Sequence, residues 1–195
     1  MIAMIEPLIT LSNIDIQIFY LINVHMQNPL FDFIMPIISQ VGYFSFWIII
    51  SILIFIFGGE KGKKVAVLAI IALITGYFLT EILKYIVARP RPFDVLGGVR
   101  VLAPIGDYSW PSGHSVASFT VATIIGKEYG LIYFIIFIIF AGLVAFSRVY
   151  NGVHYPSDVI SGALIGILIG LVFLRYKNEI MNGFKGLENK LKKKI

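Results

Sequence analysis

The stretch that decides the fold is YGLIYFIIFIIFAGLVAF, residues 129–146, which contains no charged residue. A helix needs about 20 mostly apolar residues to cross the hydrocarbon core of a bilayer, so this stretch predicts a membrane span. Residues 159–174 (VISGALIGILIGLVFL) and 65–83 (VAVLAIIALITGYFLTEIL) predict two more. In 159–174 glycine recurs at every fourth position, which predicts a closely packed helix face. These glycines are Gly162, Gly166 and Gly170.

The composition of the whole chain also indicates an integral membrane protein. Of its 195 residues, 58% are hydrophobic and 14% are charged, and the mean hydropathy is +0.88. Soluble domains average about 45–50% apolar and about 25% charged residues, and a small globule cannot bury so much apolar surface. The chain has no cysteine, which excludes disulfides, zinc–thiolate sites and thiol nucleophiles.

Three further segments complete the predicted all-α bundle of about six transmembrane helices. Residues 33–57 carry no charge, but Pro36 and Gly42 are expected to bend or break the run. Residues 112–126 are shorter and more polar, and they can span only if neighbouring helices shield one end. Residues 8–25 include several polar side chains, so this first segment either spans the membrane or lies in the interface.

The basic residues predict the orientation of the bundle. The net charge is +5, and eleven of the sixteen lysines and arginines fall in the 58–64 loop, the 127–130 turn and the C-terminal segment that starts at Arg175. Alternating spans place these segments on one side, which the excess of positive charge assigns to the cytoplasm. The chain thus divides into a transmembrane domain, 1–175, and a basic tail, 176–195. The tail is interpreted as an anchor near anionic lipid, and nucleic-acid binding is not expected.

The remaining five basic residues fall on the opposite side, against this bias. Charges close to membrane depth are costly and mark functional sites by default. Topology brings three segments together there: 84–92 (KYIVARPRP), 111–114 (PSGH) and 147–158 (SRVYNGVHYPSD). The five basic residues are Lys84, Arg89, Arg91, Arg100 and Arg148.

The residue types in these segments favour a phosphate site. Lys84, Arg91 and Arg148 supply cations and forked donors that suit a tetrahedral oxyanion. The proline before Ser112 fits the first turn of a helix, where the amides near Ser112 and Gly113 would face an anion. The three segments therefore predict a pocket for a phosphoryl group.

Two histidines are candidates for the chemistry. His154 and Asp158 are four residues apart and share a helix face if the helix has begun. A carboxylate on one ring nitrogen fixes the tautomer and leaves the other lone pair free to attack phosphorus. His114, from another helix, is placed to donate a proton to the leaving oxygen. Glu81, one turn before Lys84, is interpreted as an ion-pair partner that orients this lysine.

Other interpretations of these residues remain open. His114, His154 and Asp158 also match a metal site of two histidines and one carboxylate, although the three nearby cations would repel a divalent ion. A transporter could bind phosphate without turnover, but it would not need the paired histidines. Arg89 and Arg100 are also explained as solvated loop charges.

Together the motifs resemble those of the type 2 phosphatidic acid phosphatase family, which includes membrane lipid phosphatases and is related to vanadium haloperoxidases. The motifs are Lys84-x6-Arg91-Pro92, Pro111-Ser112-Gly113-His114 and Ser147-Arg148-x5-His154-x3-Asp158. The resemblance implies that His154 forms a phosphohistidine, that Asp158 assists it and that His114 donates the proton. It assigns the phosphoryl group to Lys84, Arg91, Ser112, Gly113 and Arg148. It implies no metal or other cofactor.

The sequence therefore predicts a membrane phosphatase that removes the terminal phosphate of a lipid phosphate or diphosphate. The outer loop, 93–110, leaves little room for a domain that recognises head groups. Polyprenyl diphosphate is slightly favoured over phosphatidylglycerol phosphate and phosphatidic acid. The expected partners are this lipid substrate and membrane lipids, and no oligomeric state follows from the sequence. The site is expected to face the extracytoplasmic side of the plasma membrane.

Overall fold

The structure, a computed structural model, describes residues 12–192 and the side chains of residues 12–184. Within 12–192 the regular secondary structure consists of helices and includes no β-strand, as the predicted all-α fold requires. Helix α1 covers residues 12–20 and continues as a π-helical turn over Leu21–His25. The following helices are α2 (Pro29–Gln40), α3 (Phe44–Phe57), α4 (Gly59–Val87), α5 (Pro92–Val95), α6 (Gly113–Tyr129), α7 (Leu131–Tyr150), α8 (Pro156–Arg175) and α9 (Lys177–Lys192).

Three or four segments of the described residues are candidate membrane spans by length and apolar composition. Three segments are long and apolar enough to cross: Gly59–Val95, which contains α4, together with α7 and α8. Helices α2 and α3 make a fourth if this bent pair is one broken span. Helix α6, predicted as a span from 112–126, has 17 residues, and its neighbours bury nearly all of them. Residues 8–11 of the first predicted segment lie outside the described residues.

The break between α2 and α3 is at Gly42, which is one of the two positions where a bend or break was predicted. At the other position, Pro36, α2 continues without a break. The two helices differ in direction by 61°. A Cβ atom on Gly42 would lie 2.5 Å from Val144 Cγ1 and 2.7 Å from His114 Cδ2. Glycine at this position therefore lets the bend approach α6 and α7 closely.

Helix α6 is the centre of the bundle and packs against α3, α4, α7 and α8. The main core lies between these helices and includes fully buried Leu68, Leu73, Val121 and Ile124. The indole N–H of Trp47 donates a hydrogen bond to a side chain of α6 at 3.1 Å. Buried on all sides, α6 offers a rigid support for whatever its first turn carries.

The glycine face predicted on α8 packs against α6. A Cβ atom on Gly162 would lie 2.6 Å from the Ser112 carbonyl oxygen, and one on Gly170 would lie 2.8 Å from Thr123 Cβ. Between them, the carbonyl of Gly166 accepts a hydrogen bond from the α6 hydroxyl of Thr120 at 3.1 Å. Small residues let helix backbones approach within membranes, and here they fix the height of α8 relative to α6.

Substitution Gly166→Ala is expected to lower the thermal unfolding temperature. The new Cβ would lie 2.5 Å from the Val116 carbonyl oxygen and 3.1 Å from Phe119 Cβ. Overpacking of this kind costs about 1–3 kcal/mol. Gly142 on α7 is the matched control, since a Cβ there meets no atom within 4 Å. Thermal unfolding in detergent, monitored by circular dichroism, should give a lower unfolding temperature for Gly166→Ala than for Gly142→Ala. Equal unfolding temperatures would contradict the packing account.

The two predicted groups of basic residues lie at opposite ends of the bundle. At one end Lys61 lies 4.7 Å from the ring centroid of Tyr129, and Lys177 pairs with Glu128 at 2.6 Å. These contacts gather the 58–64 loop, the 127–130 turn and the start of α9. Helix α4 begins at this end and finishes at the other with Lys84 in its last turn.

Candidate active site

The ends of α4, α6 and the α7–α8 connection meet at one end of the bundle and enclose a cavity of about 270 Å³. Helix α4 supplies Lys84, and α6 begins with Gly113 and His114. Arg91 comes from the extended connection after α4, and His154 from the turn before α8. Five of the eight residues that the sequence predicts for the site therefore line one cavity.

The imidazole of His154 is almost completely buried in the wall of this cavity. Its Nε2 lies 3.3 Å from Nη1 of Arg91, and its Nδ1 lies 3.5 Å from a carboxylate oxygen of Asp158. The second distance places Nδ1 beside the carboxylate but is too long for a formed hydrogen bond. Burial lowers the pKa of His154 to about 4, although Asp158 acts in the opposite direction. The ring is therefore neutral at pH 7, with one nitrogen carrying a free lone pair.

The carboxylate of Asp158 is fully buried and fixed by several donors. Nη1 of Arg89 donates to Oδ1 at 2.5 Å, while Oδ2 accepts from the Tyr155 backbone N–H at 2.8 Å and from the hydroxyl of Ser109. The Arg89 guanidinium also lies 3.8 Å from the Tyr155 ring centroid. The interpretation of Arg89 as a solvated charge is therefore wrong, because this side chain holds Asp158.

Helix α1 reaches the site through Asp15. One of its carboxylate oxygens accepts from Nη2 of Arg89 at 2.7 Å, and the other accepts from the Ser157 backbone N–H at 2.8 Å. Asp15 thereby ties the first turn of α8 to the segment after α4. The available signal was a carboxylate among the polar residues of the first predicted segment, and sequence reasoning did not assign it.

Arg148 is buried in the last turn of α7 with incomplete hydrogen bonding. Its Nη1 donates to the hydroxyl of Ser39 on α2. Its Nε and Nη2 have no hydrogen-bond partner among the described residues. Because leaving a buried charge unpaired is costly, these two donors are available to an anion.

Ser112 lies at the start of α6, where the sequence places it. It caps α6, with its hydroxyl oxygen accepting from the Ser115 backbone N–H at 3.4 Å. Its own N–H donates to the Asp158 carbonyl oxygen at 3.1 Å. The Ser112 amide is therefore already used, and the end of α6 faces the cavity through Gly113.

Sequence reasoning missed Asp107, which lies in the cavity wall between two cations. Its Oδ2 accepts from Nζ of Lys84, and its Oδ1 accepts from Nη2 of Arg91. Burial alone would raise its pKa, but the hydrogen bond from Lys84 and the charge of Arg91 hold the Asp107 pKa below its usual range. The predicted ion pair of Lys84 with Glu81 is also present, at 3.6 Å.

Arg100 lies away from the cavity in a separate cluster. Its guanidinium forms two hydrogen bonds with Asp32 of α2, at 2.6 and 3.1 Å, and the Tyr150 hydroxyl donates to the same carboxylate at 2.6 Å. Arg100 is thus paired, which makes its interpretation as a solvated charge wrong. It braces the loop after α5 against α2 and α7.

His114 faces the same cavity as His154, from the first turn of α6. Its ring packs on the ring of Tyr43 with centroids 4.5 Å apart. Its Nε2 is buried and has no hydrogen-bond partner among the described residues. Within those residues no group of three or more His, Asp or Glu side chains is arranged to hold a metal ion.

Comparison with known proteins places these residues in a family. Residues 65–182 match the sequence model of the PAP2 superfamily. This range includes all three motifs and begins after helices α1–α3. The chain belongs to the PAP2 superfamily. The resemblance inferred from the motifs is therefore confirmed.

Other PAP2 proteins match most of the chain. A Sulfolobus acidocaldarius protein named undecaprenyl-diphosphatase is 35% identical over 91% of this chain and 84% of its own length. Undecaprenyl-diphosphatase BcrC of Bacillus subtilis is 28% identical over 86% and 90%. Among solved structures, Aquifex aeolicus LpxE superposes with a TM-score of 0.70 at 32% identity, covering 83% of this chain and 94% of that one. A Bacillus subtilis PAP2 type phosphatidylglycerolphosphate phosphatase gives 0.73 at 25% identity, covering 88% of each.

In this PAP2 protein the cavity combines three functions that phosphoryl transfer needs. Lys84 and Arg91 provide positive charge in the cavity wall, and two donors of the buried Arg148 have no partner among the described residues. His154 provides a neutral imidazole, and His114 provides a second ring on the opposite helix. Groups fixed in place before the reaction stabilise developing charge without reorganisation. The arrangement is therefore suited to hold a phosphoryl group while a ring nitrogen attacks it.

Proposed function

We propose that this protein is an integral membrane phosphatase that hydrolyses the terminal phosphate of a polyprenyl diphosphate through a phosphohistidine at His154. The observation that carries the proposal is the buried, neutral imidazole of His154 beside Arg91 and within reach of Asp158. A transporter that only binds phosphate has no use for an imidazole backed by a carboxylate. The relatives named undecaprenyl-diphosphatase support the choice of substrate, since they match most of the chain.

In the first step Nε2 of His154 attacks phosphorus, and the bond from phosphorus to the leaving oxygen breaks. Asp158 accepts the N–H of the other ring nitrogen and stabilises the positive charge that forms on the ring. Lys84, Arg91 and Arg148 donate to the phosphoryl oxygens. The phosphate charge favours the protonated form of His114, which gives its proton to the leaving oxygen.

In the second step water attacks the phosphohistidine. His114, now neutral, takes a proton from this water, and the bond from phosphorus to the ring nitrogen breaks. Inorganic phosphate and free His154 result, while His114 is protonated again. The same cavity and the same cations serve both steps, because each passes through a five-coordinate phosphorus.

The distribution of charge supports an extracytoplasmic site. The basic loops and α9 lie at the end of the bundle opposite the cavity, and excess lysine and arginine mark the cytoplasmic side. We place the tail, 176–195, in the cytoplasm and the site at the outer face of the plasma membrane. A polyprenyl chain can then remain among lipid tails while its diphosphate enters the cavity.

The test is phosphate release by the purified protein in detergent. We expect wild type to release inorganic phosphate from a polyprenyl diphosphate faster than from phosphatidylglycerol phosphate or phosphatidic acid, and to retain this activity in EDTA. His25→Ala is a matched control, because the exposed His25 lies at the end of α1 and its ring forms a hydrogen bond with the Tyr20 carbonyl oxygen. If wild type released phosphate no faster than a His154→Ala variant, the proposal would be contradicted. Phosphate binding by wild type without release would favour the transporter. Activity that EDTA abolishes and a divalent ion restores would favour the metal triad.

A further inference from the structure

The Asp107 carboxylate meets the two cations that should hold the substrate. Its two oxygens accept separate hydrogen bonds, one from Lys84 and one from Arg91. A carboxylate that bridges two cations with two oxygens imitates the way in which phosphate would bind them. Asp107 also lines the cavity that contains His114 and His154. The ionised side chain thus lies where a phosphoryl group has to come.

We propose that the Asp107 carboxylate occupies the phosphoryl position in the free enzyme, so that it competes with the substrate and expels inorganic phosphate after hydrolysis. The inference rests on the proposed function. Phosphate near neutral pH carries more charge than a carboxylate and can bind additional donors, such as those of Arg148. It can therefore replace Asp107, while the tethered carboxylate returns when phosphate leaves.

The exchange requires rotation of one side chain and no movement of the loop. Nε of Arg91 donates to the Asp107 carbonyl oxygen at 2.7 Å, and the Ser109 backbone N–H donates to the Arg89 carbonyl oxygen at 2.8 Å. These bonds hold the backbone at Asp107 and in the segment that follows it. The Asp107 side chain itself is 35% exposed, unlike the buried Arg91 beneath it.

A second cavity provides the space into which the carboxylate can turn. This outer cavity, of about 530 Å³, is also lined by Lys84 and Asp107 and adjoins the first. Glu81 lines both cavities, whereas Asp94 lines the outer one. The negative charge of Asp94 disfavours a position of the Asp107 carboxylate in the outer cavity, away from the two cations. The displaced state is therefore higher in energy, and the carboxylate is driven back towards the cations.

The proposal predicts that removal of this charge tightens phosphate binding. We expect Asp107→Asn to bind inorganic phosphate about tenfold more tightly than wild type, the scale on which one nearby like charge acts. Product inhibition by phosphate should increase in parallel. Isothermal titration of the purified, full-length protein with inorganic phosphate measures the affinity without turnover, and Asp107→Ala gives a second variant with the same expected direction.

Asp94→Asn is the matched control. Asp94 lines the same outer cavity and carries the same charge, but its carboxylate accepts from the backbone N–H of Arg91 and does not bridge the two cations. We expect less than about a threefold change in phosphate affinity, because the charge of the exposed Asp94 is screened and its carboxylate does not occupy the position between the two cations. Equal tightening by Asp94→Asn and Asp107→Asn would overturn the proposal, since general charge would then explain the effect.

Weaker or unchanged phosphate binding in Asp107→Asn would also overturn it, and weaker binding would mean that Asp107 holds Lys84 and Arg91 in place. Failure of the proposed function gives a different result. A protein that releases no phosphate from lipids, but binds inorganic phosphate more tightly as Asp107→Asn, would support internal competition alone. An active enzyme whose affinity for inorganic phosphate is the same in wild type and in Asp107→Asn would support the phosphatase alone.

Discussion

Replacement of His154 by alanine is expected to reduce phosphate release by about 10⁴–10⁶-fold, the range found when a catalytic nucleophile is removed. The cations of the cavity remain in this variant, so substrate can still bind. What is lost is the lone pair that forms the bond to phosphorus. Steady-state release from a polyprenyl diphosphate, with His25→Ala measured beside it, gives the comparison. A loss smaller than about tenfold would mean that another group or water attacks phosphorus directly.

The covalent intermediate gives an independent measurement of the same role. Brief reaction with substrate labelled in its terminal phosphate, followed by denaturation, should leave a protein adduct that is labile to acid and stable to base. Peptide mapping should locate the adduct at His154, and His154→Ala should carry none. An adduct that persists in this variant would assign the nucleophile to a different side chain.

The sequence predicts the main groups of the cavity because each lies at or beside the end of a helix. Lys84 is in the last turn of α4, His114 in the first turn of α6, and His154 two residues before α8. Alternation of long apolar helices places such ends at one face of a bundle. Their meeting in one cavity therefore follows from topology, and in the structure all three side chains line that cavity.

The groups that hold these residues could not be predicted in the same way. Asp107 and Ser109 lie in an irregular loop, where neither helical nor strand periodicity relates a residue to its neighbours in space. Arg89 follows Ala88, whose φ of 49° is in the left-handed region and ends the helical spacing that began with α4. Directions of side chains beyond such a residue depend on contacts made by distant segments, here Asp15 of α1.

The surroundings of α6 show a second limit of prediction from local sequence. Apolar composition identifies a helix that avoids water, but a helix surrounded by protein and one surrounded by lipid satisfy the same condition. Helix α6 is of the first kind, since Val116, Val121 and Ile124 are fully buried against neighbouring helices. Its serines and threonines are tolerated because other helices, and not lipid, cover them. Helix α6 therefore meets the condition on which residues 112–126 were expected to span, because neighbouring helices cover its polar side chains.

Replacement of His114 by alanine is expected to slow the enzyme by an amount that depends on the leaving group. General acid catalysis contributes about 10²–10⁴-fold, and the contribution is greatest when the departing oxygen is strongly basic. We expect a loss in this range with phosphatidic acid, whose leaving group is an alkoxide, and a much smaller loss with a nitrophenyl phosphate. Measurement of kcat/KM for both substrates in wild type and His114→Ala gives the ratio that matters.

Tyr43→Phe is the control for this variant. Phenylalanine keeps the ring that packs on His114 with a centroid distance of 4.5 Å, so it should preserve the position of the imidazole and affect both substrates equally. A polyprenyl diphosphate provides the intermediate case, because its leaving group is a phosphate monoester, which is less basic than an alkoxide. His114→Ala should therefore make the enzyme more selective for diphosphates over monoesters. The same loss of kcat/KM with all three substrates would show that His114 supports the cavity without donating a proton.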